Sequence, residues 1–356
     1  MSSSISTSKA EISYIQAGLL SDPPLRADGR GLHDFRAINL ETGVAPLANG
    51  SAHLSIGKNP HGGGGGTEIL AAAKLEVEDV DGRGEGVNGG RIVCAVSCSP
   101  SAYPHLSSSA LDDLQQDMST LLHQTLSHPS LHPPNLSIIP NKKSWLLNLD
   151  CVVLADAGNT YDALFMAARA ALWDCKVPRT RAVEYKAPSN APGAKVLESG
   201  EMDVDETAGD SAANQSGFDT RSIARAVDFE LPDYWDEGEV LGGRDRWPVC
   251  VTMNAVAPAP ASTSKTPWVH YLDAILQEEA ATPLRLLLVF SFPPNSIPNL
   301  QAMRVLGSGE LETAQIRDSV SSGEKFAQKM WDALNAKLKE EDLRRGQKAR
   351  DRFARR

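Results

Sequence analysis

Residues 146–172 read LLNLDCVVLADAGNTYDALFMAARAAL. Leu146 to Ala155 is an apolar strand, Asp156-Ala157-Gly158-Asn159-Thr160 is a turn, and an alanine-rich helix follows at once. A strand that feeds a glycine turn and then a helix N-terminus is a place to hold phosphate, because unpaired backbone N–H groups and the helix dipole both favour an anion there. The side chains point the other way. No Arg or Lys lies between Asp156 and Ala168, while Asp156 and Asp162 bring negative charge to the spot where a phosphate needs neutralising.

The surrounding chain of 356 residues is long enough for two ordinary domains or one large domain with insertions. A net charge of −10 argues against a free-standing nucleic-acid binder, so RNA or DNA contacts must come from local basic patches or from a partner's surface. The five cysteines are odd in number and most lie in apolar runs, which points to a reducing compartment. Met1 to Lys9 has no apolar signal core, and the longest apolar run, around Leu286 to Phe290, is too short to span a bilayer. A soluble intracellular protein without a membrane partner is expected.

Ser8-Lys9-Ala10-Glu11 has the spacing of a capping box ahead of Ile12, Ile15 and Leu19, so a short helix is expected within an N-terminal segment, 1–25. Strand patterns follow at Phe35 to Leu40, Ser51 to Gly57, Thr67 to Val77 and Arg91 to Ser97. The glycine run after His61 lacks the Gly-Lys-Ser/Thr of a phosphate loop and reads as a flexible hairpin insertion. Ser109-x-x-Asp112 marks the start of a second helix with Leu111, Leu114, Met118, Leu121 and Leu122 on one face. His123, His128 and His132 straddle its end without a Cys or carboxylate partner and read as a solvated cluster, so no metal is expected. Residues 187–246 form an acidic insertion, expected to be mobile. Strands resume at Trp247 to Val256, Trp268 to Leu272, Leu284 to Ser291 and Leu300 to Leu306, before a helix from about Ala314. Residues 336–356 are a basic helical tail that fits RNA, nuclear import, a protein partner or plain solvation.

Taken in order, several pieces resemble the RNase PH superfamily. They are Arg26-x-Asp28-Gly29-Arg30 with Phe35-Arg36, Asn49-Gly50-Ser51-Ala52, Lys74-x-Glu76-Val77, Leu149-Asp150 through Ala157-Gly158-Asn159, Asp162-Ala163, Leu272-Asp273-Ala274, Gln277-Glu278-Glu279-Ala280 and Gly307-Ser308-Gly309-Glu310-Leu311. The resemblance implies an α/β (α+β) fold of two β-α-β-α halves, similar to ribosomal protein S5 domain 2. Those halves would fall in a first domain, 26–186, and a second, 247–335. It further implies a subunit of a hexameric ring of the eukaryotic RNA exosome, through which single-stranded RNA is threaded. The partners implied are other RNase PH-like subunits, S1/KH-type cap subunits and catalytic nucleases; the compartments are nucleus, nucleolus and cytoplasm.

Active members of the family cleave an RNA 3′ end with inorganic phosphate. That chemistry needs a cationic phosphate cradle and carboxylates that handle a proton or magnesium. By the resemblance, the cradle arginine falls on Thr160, which offers neither charge nor a bidentate fork. Two aspartates six residues apart fall on Glu279 and Arg285, and a guanidinium can neither ligate magnesium nor relay a proton. The expected local arrangement is a self-capped helix, with Asn159 or Thr160 as the cap. Glu278 and Glu279 are expected in a turn or a contact with a neighbouring subunit. A non-catalytic ring subunit without cofactor follows, the alternative being an active phosphate-dependent exoribonuclease with a composite site. Arg30, Arg36, Lys74, Lys142 and Lys143 are RNA-path candidates, with ordinary ion pairs as the competing reading.

Overall fold

The computed structural model describes residues 7–58, 65–80, 86–183, 186–187, 222–223, 228–231, 238–256, 268–294 and 296–354. The glycine run and the acidic stretch from Glu198 to Asp210 lie outside the described residues, apart from Gly65 and Gly66.

The chain opens with α1 (Lys9–Leu20), and the capping box at Ser8 and Glu11 is formed on both sides. The first sheet takes β1 (Ile38–Thr42), β2 (Gly50–Ile56), β3 (Thr67–Asp79), β4 (Arg91–Cys98), β5 (Ser137–Ile139) and β6 (Lys143–Ala155). Its order is β1-β2-β3-β6-β4, with β5 paired to β6. The β4–β6 pair is parallel because α2 (Ser108–Leu126) crosses between them. Ser107, not Ser109, caps α2, its hydroxyl accepting from the Ala110 N–H; a run of serines offers more than one possible start, and burial of Leu111, Met118 and Leu122 selects this one.

After β6 comes α3 (Thr160–Asp174), of which every residue but Asp174 is buried. A largely apolar helix buried on every face must be covered on all sides. It packs on β2 and β3 of the first sheet and, on its other flank, on β13 (Val249–Val256) of a second sheet. Alanines at 163, 167, 168, 170 and 171 let both sheets approach closely. Contact is close at Gly50, where an added Cβ would lie 2.5 Å from the Ala171 carbonyl oxygen.

The short strands β7 (Lys176–Val177) and β12 (Glu239–Val240) pair with each other. Between them, β8 (Arg181–Val183) pairs with β11 (Asp228–Glu230), and β9 (Lys186–Ala187) with β10 (Ser222–Ile223). Residues 179–236 form a separate compact unit, whereas 1–178 and 237–356 form one. Composition assigned 237–246 to the insertion; the β12 pairing and the buried Leu241 tie this stretch to the main unit.

The second sheet runs β14-β13-β15-β16, adding β14 (Val269–Tyr271), β15 (Arg285–Ser291) and β16 (Asn299–Leu306), all antiparallel. A six-residue helix, α4 (Leu276–Ala281), precedes β15. The last helix, α5 (Thr313–Ala354), packs on β13 and β15. Every residue of β13 and β15 is buried, as expected for strands covered on both faces. The two halves share α3 and are parts of one unit rather than two domains. Residues 336–354 of the expected basic tail are the continuation of α5.

Candidate functional site

The turn between β6 and α3 is fixed by backbone sterics. Gly158 has φ +94°, and a Cβ there would run into the Ala274 carbonyl oxygen. Asn159, at the N-cap, is left-handed at φ 60° and makes no side-chain cap bond, which corrects the expected self-cap. Its backbone turn sends the amide away from the helix, so that Nδ2 donates to Asp273 Oδ1 at 3.1 Å.

Carboxylates take the donors instead. Asp156 Oδ1 accepts from the Gly158 N–H and from the Thr160 hydroxyl, both at 2.8 Å. Glu279 Oε1 accepts from the Asn159 N–H at 2.8 Å, and Glu279 Oε2 pairs with Arg285 Nη1 at 3.0 Å. An intrachain carboxylate therefore sits at the helix N-terminus where a ligand anion would bind. Burial raises the Glu279 pKa, with Arg285 opposing. Glu278 and Glu279 lie in α4 rather than in a turn; the Glu279 side chain is 12% exposed, and Glu278 is buried against Arg26.

Thr160, Glu279 and Arg285 are thus brought together, around a cavity of about 110 Å³ also lined by Tyr103, Asp156 and Tyr161. Two carboxylates face one guanidinium across it. Such a lining repels a phosphate and lacks the second carboxylate of a magnesium pair on the Arg285 side. Beneath it, Asp162 is fully buried, accepts from the Thr252 hydroxyl at 2.7 Å, and has its pKa raised to about 7 by burial.

A second ionic cluster lies on the other side of Asn159. Asp273, itself buried, receives Arg30 Nη1 at 2.8 Å, Arg36 Nη2 at 2.7 Å and the Arg36 backbone N–H at 2.6 Å. Burial works to raise the Asp273 pKa, but Arg36 and Arg30 bring it below the ordinary value. Arg26 grips Glu278 with two parallel bonds, Nε at 2.9 Å and Nη2 at 2.6 Å.

Of the RNA-path candidates, Arg30 and Arg36 are both parts of this intrachain knot, their side chains 14% and 10% exposed. Their rims still line an open groove of about 730 Å³ with Lys58 and Gln277. Lys74, mid-β3, forms an exposed pair with Glu76 at 2.8 Å. Lys142 and Lys143 are half-buried at the start of β6, where Lys143 sits opposite Asp79. The five candidates do not converge. The three histidines separate as well: His123 Nδ1 accepts from the Cys94 N–H, His128 meets Ser130, and His132 meets the Gly90 carbonyl. Among the described residues no group of three metal-ligating side chains converges.

Two sheets sharing a buried helix, with a glycine turn feeding that helix beside a carboxylate-bearing segment, define an RNase PH-type fold. Residues 34–178 match the RNase PH family, described as 3′ exoribonuclease family, domain 1, so this part of the chain is an RNase PH family domain. The chain is homologous to proteins named Rrp42 of the exosome complex. Over 94% of its length, and 98% of the relative's, it is 23% identical to a Dictyostelium discoideum protein named putative exosome complex exonuclease RRP42. It is 32% identical to the exosome complex component Rrp42 of Sulfurisphaera tokodaii over 44% of this chain, which spans 53% of that relative. In structure it is similar to a chain of the Archaeoglobus fulgidus exosome with RNA bound to the active site, with a TM-score of 0.58, 18% identity and coverage of 91% and 97%. It is likewise similar to an archaeal exosome core chain, with a TM-score of 0.55, 18% identity and coverage of 92% and 96%.

Proposed function

We propose that the chain is a catalytically inactive ring subunit of the exosome, supporting 3′-to-5′ RNA processing and degradation carried out by partner nucleases. One observation carries the inactivity: the Glu279 carboxylate fills the anion position at the α3 N-terminus, held by the Asn159 N–H and Arg285. Phosphorolysis needs inorganic phosphate at such a cradle and a cation to hold it. In this chain the N–H is engaged and the cation is paired. Thr160, at the position the family gives to arginine, donates its hydroxyl to Asp156.

The partners in this reading are other RNase PH-like subunits closing a six-membered ring, S1/KH-type caps and separate nucleases, with single-stranded RNA passing through the assembly. Homology to Rrp42 subunits supports the ring partners. Its compartments are the nucleus, nucleolus and cytoplasm, which imaging of a tagged chain tests.

The test of inactivity is to incubate the purified chain with single-stranded RNA, phosphate and magnesium. No nucleoside diphosphate is expected, and its release by the lone chain would overturn the proposal. Purification through a tagged chain should recover several different homologous subunits with a separate nuclease; an active homohexamer would contradict it.

A further inference from the structure

β1 is an edge strand, and its ladder to β2 shows which of its backbone groups are left over. The Gly57 N–H donates to the Ala37 carbonyl and the Gly43 N–H to the Ser51 carbonyl, each at 2.8 Å. With Asn39 opposite Ser55 and Glu41 opposite His53, the odd-numbered residues face β2. The N–H and C=O groups of Ile38, Leu40 and Thr42 therefore point outward. None of them has a backbone partner among the described residues.

A groove runs along this open edge, walled on the far side by α5. At one end it is an apolar cavity of about 420 Å³ lined by Phe35, Ile38, Leu40, Phe326, Met330 and Leu334. The charged side chains lining that cavity are Lys329 and Lys337, with His33 beside them and no carboxylate among the described residues that line it. Lys337 also reaches Glu340 and Glu341 on its own helix. At the other end, sharing Ile38, Leu40 and Lys337, lies a polar cavity of about 500 Å³ that wraps the strand edge, where Lys58 and Arg344 stand beside Glu41 and Glu341. An unpaired strand edge invites another strand, and natural proteins commonly blunt such edges. Here the edge is bordered by an apolar cavity within the volume range of specific binding sites.

We propose that the β1 edge is a docking site for an extended peptide segment of a partner protein, one that alternates apolar and acidic side chains. The segment adds as a strand outside β1, taking its main-chain hydrogen bonds from Ile38, Leu40 and Thr42. Its apolar side chain enters the cavity against Phe326 and Met330, and its carboxylates face Lys329 and Lys337. Peptide affinity comes from the backbone ladder, and selection for an acidic segment from the two lysines. This site is independent of the inactive-subunit reading and of the α3 turn.

The test uses the full chain and two fluorescein-labelled heptapeptides, EFEFEFE and KFKFKFK, with anisotropy as the binding signal and hydrogen exchange as the positional one. The acidic peptide is expected to bind at least tenfold more tightly than the basic one, and to slow exchange at Ile38, Leu40 and Thr42. Lys329→Glu with Lys337→Glu should abolish that preference while circular dichroism stays unchanged. A second variant, Met330→Glu, blocks the cavity floor and should weaken the acidic peptide at least tenfold. Equal binding of the two peptides, protection elsewhere than β1, or edge protection produced by self-association of the chain alone would each overturn the proposal.

Discussion

The two ionic clusters on either side of Asn159 have opposite compositions. At the α3 N-terminus, Asp156 and Glu279 stand against the single guanidinium of Arg285. At Asp273, one carboxylate stands against the two guanidinium groups of Arg30 and Arg36. Asn159 touches both, through its N–H to Glu279 and its Nδ2 to Asp273. The chain therefore does not lack positive charge near the turn; that charge is spent on Asp273, across the residue that separates the clusters. A phosphate cradle requires the guanidinium on the helix side, and a buried knot requires it on the other.

Breaking the arginine-rich cluster has the largest expected effect. Asp273→Ala leaves the mostly buried Arg36 without its carboxylate and Arg30 with Asp28 alone, and a loss of about 3–5 kcal/mol is expected in denaturant unfolding. Asp162, below the acid-rich cluster, comes next. Its native pKa of about 7 exceeds the ordinary aspartate value of 3.8, so between these the unfolded chain has released a proton that the native chain keeps. Stability due to this group is present below about pH 4 and is lost as pH rises to about 7, by about 2–4 kcal/mol. Asp162→Asn should flatten that slope in unfolding measured across the range.

Glu279→Gln sharpens the comparison by removing the surrogate anion. A cost of about 1–3 kcal/mol is expected from leaving Arg285 with a neutral partner. Weak phosphate affinity should appear without phosphorolysis, since Arg285 still stands where an acid is required. Lys74→Ala, at an exposed pair outside both clusters, should change stability by less than about 0.5 kcal/mol.

Much of the frame is legible in the sequence because its signals are local. The Ser8 capping box, the strand-like runs that become β2 to β4, and the alanine-rich, largely apolar 160–173 stretch each report their own structure. Thr160, Glu279 and Arg285 could be singled out by motif spacing, and they do share one cavity. What the sequence hides is pairing at long range. Arg36 and Asp273 are 237 positions apart and Arg30 and Asp273 are 243 apart, so two arginines that flank a turn look free for RNA. The occupation of the Asn159 N–H by Glu279, 120 positions on, is equally invisible, and the nearest side-chain oxygen is the natural but wrong candidate for the cap.

The central claim is that the chain's own carboxylate occupies its anion site. Titration of inorganic phosphate into the native chain, followed by phosphorus NMR and calorimetry, tests it most directly. No saturable binding is predicted for the native chain, and weak binding for Glu279→Gln. Saturable binding by the native chain that is unchanged in Glu279→Gln and lost on Thr160→Glu would contradict it.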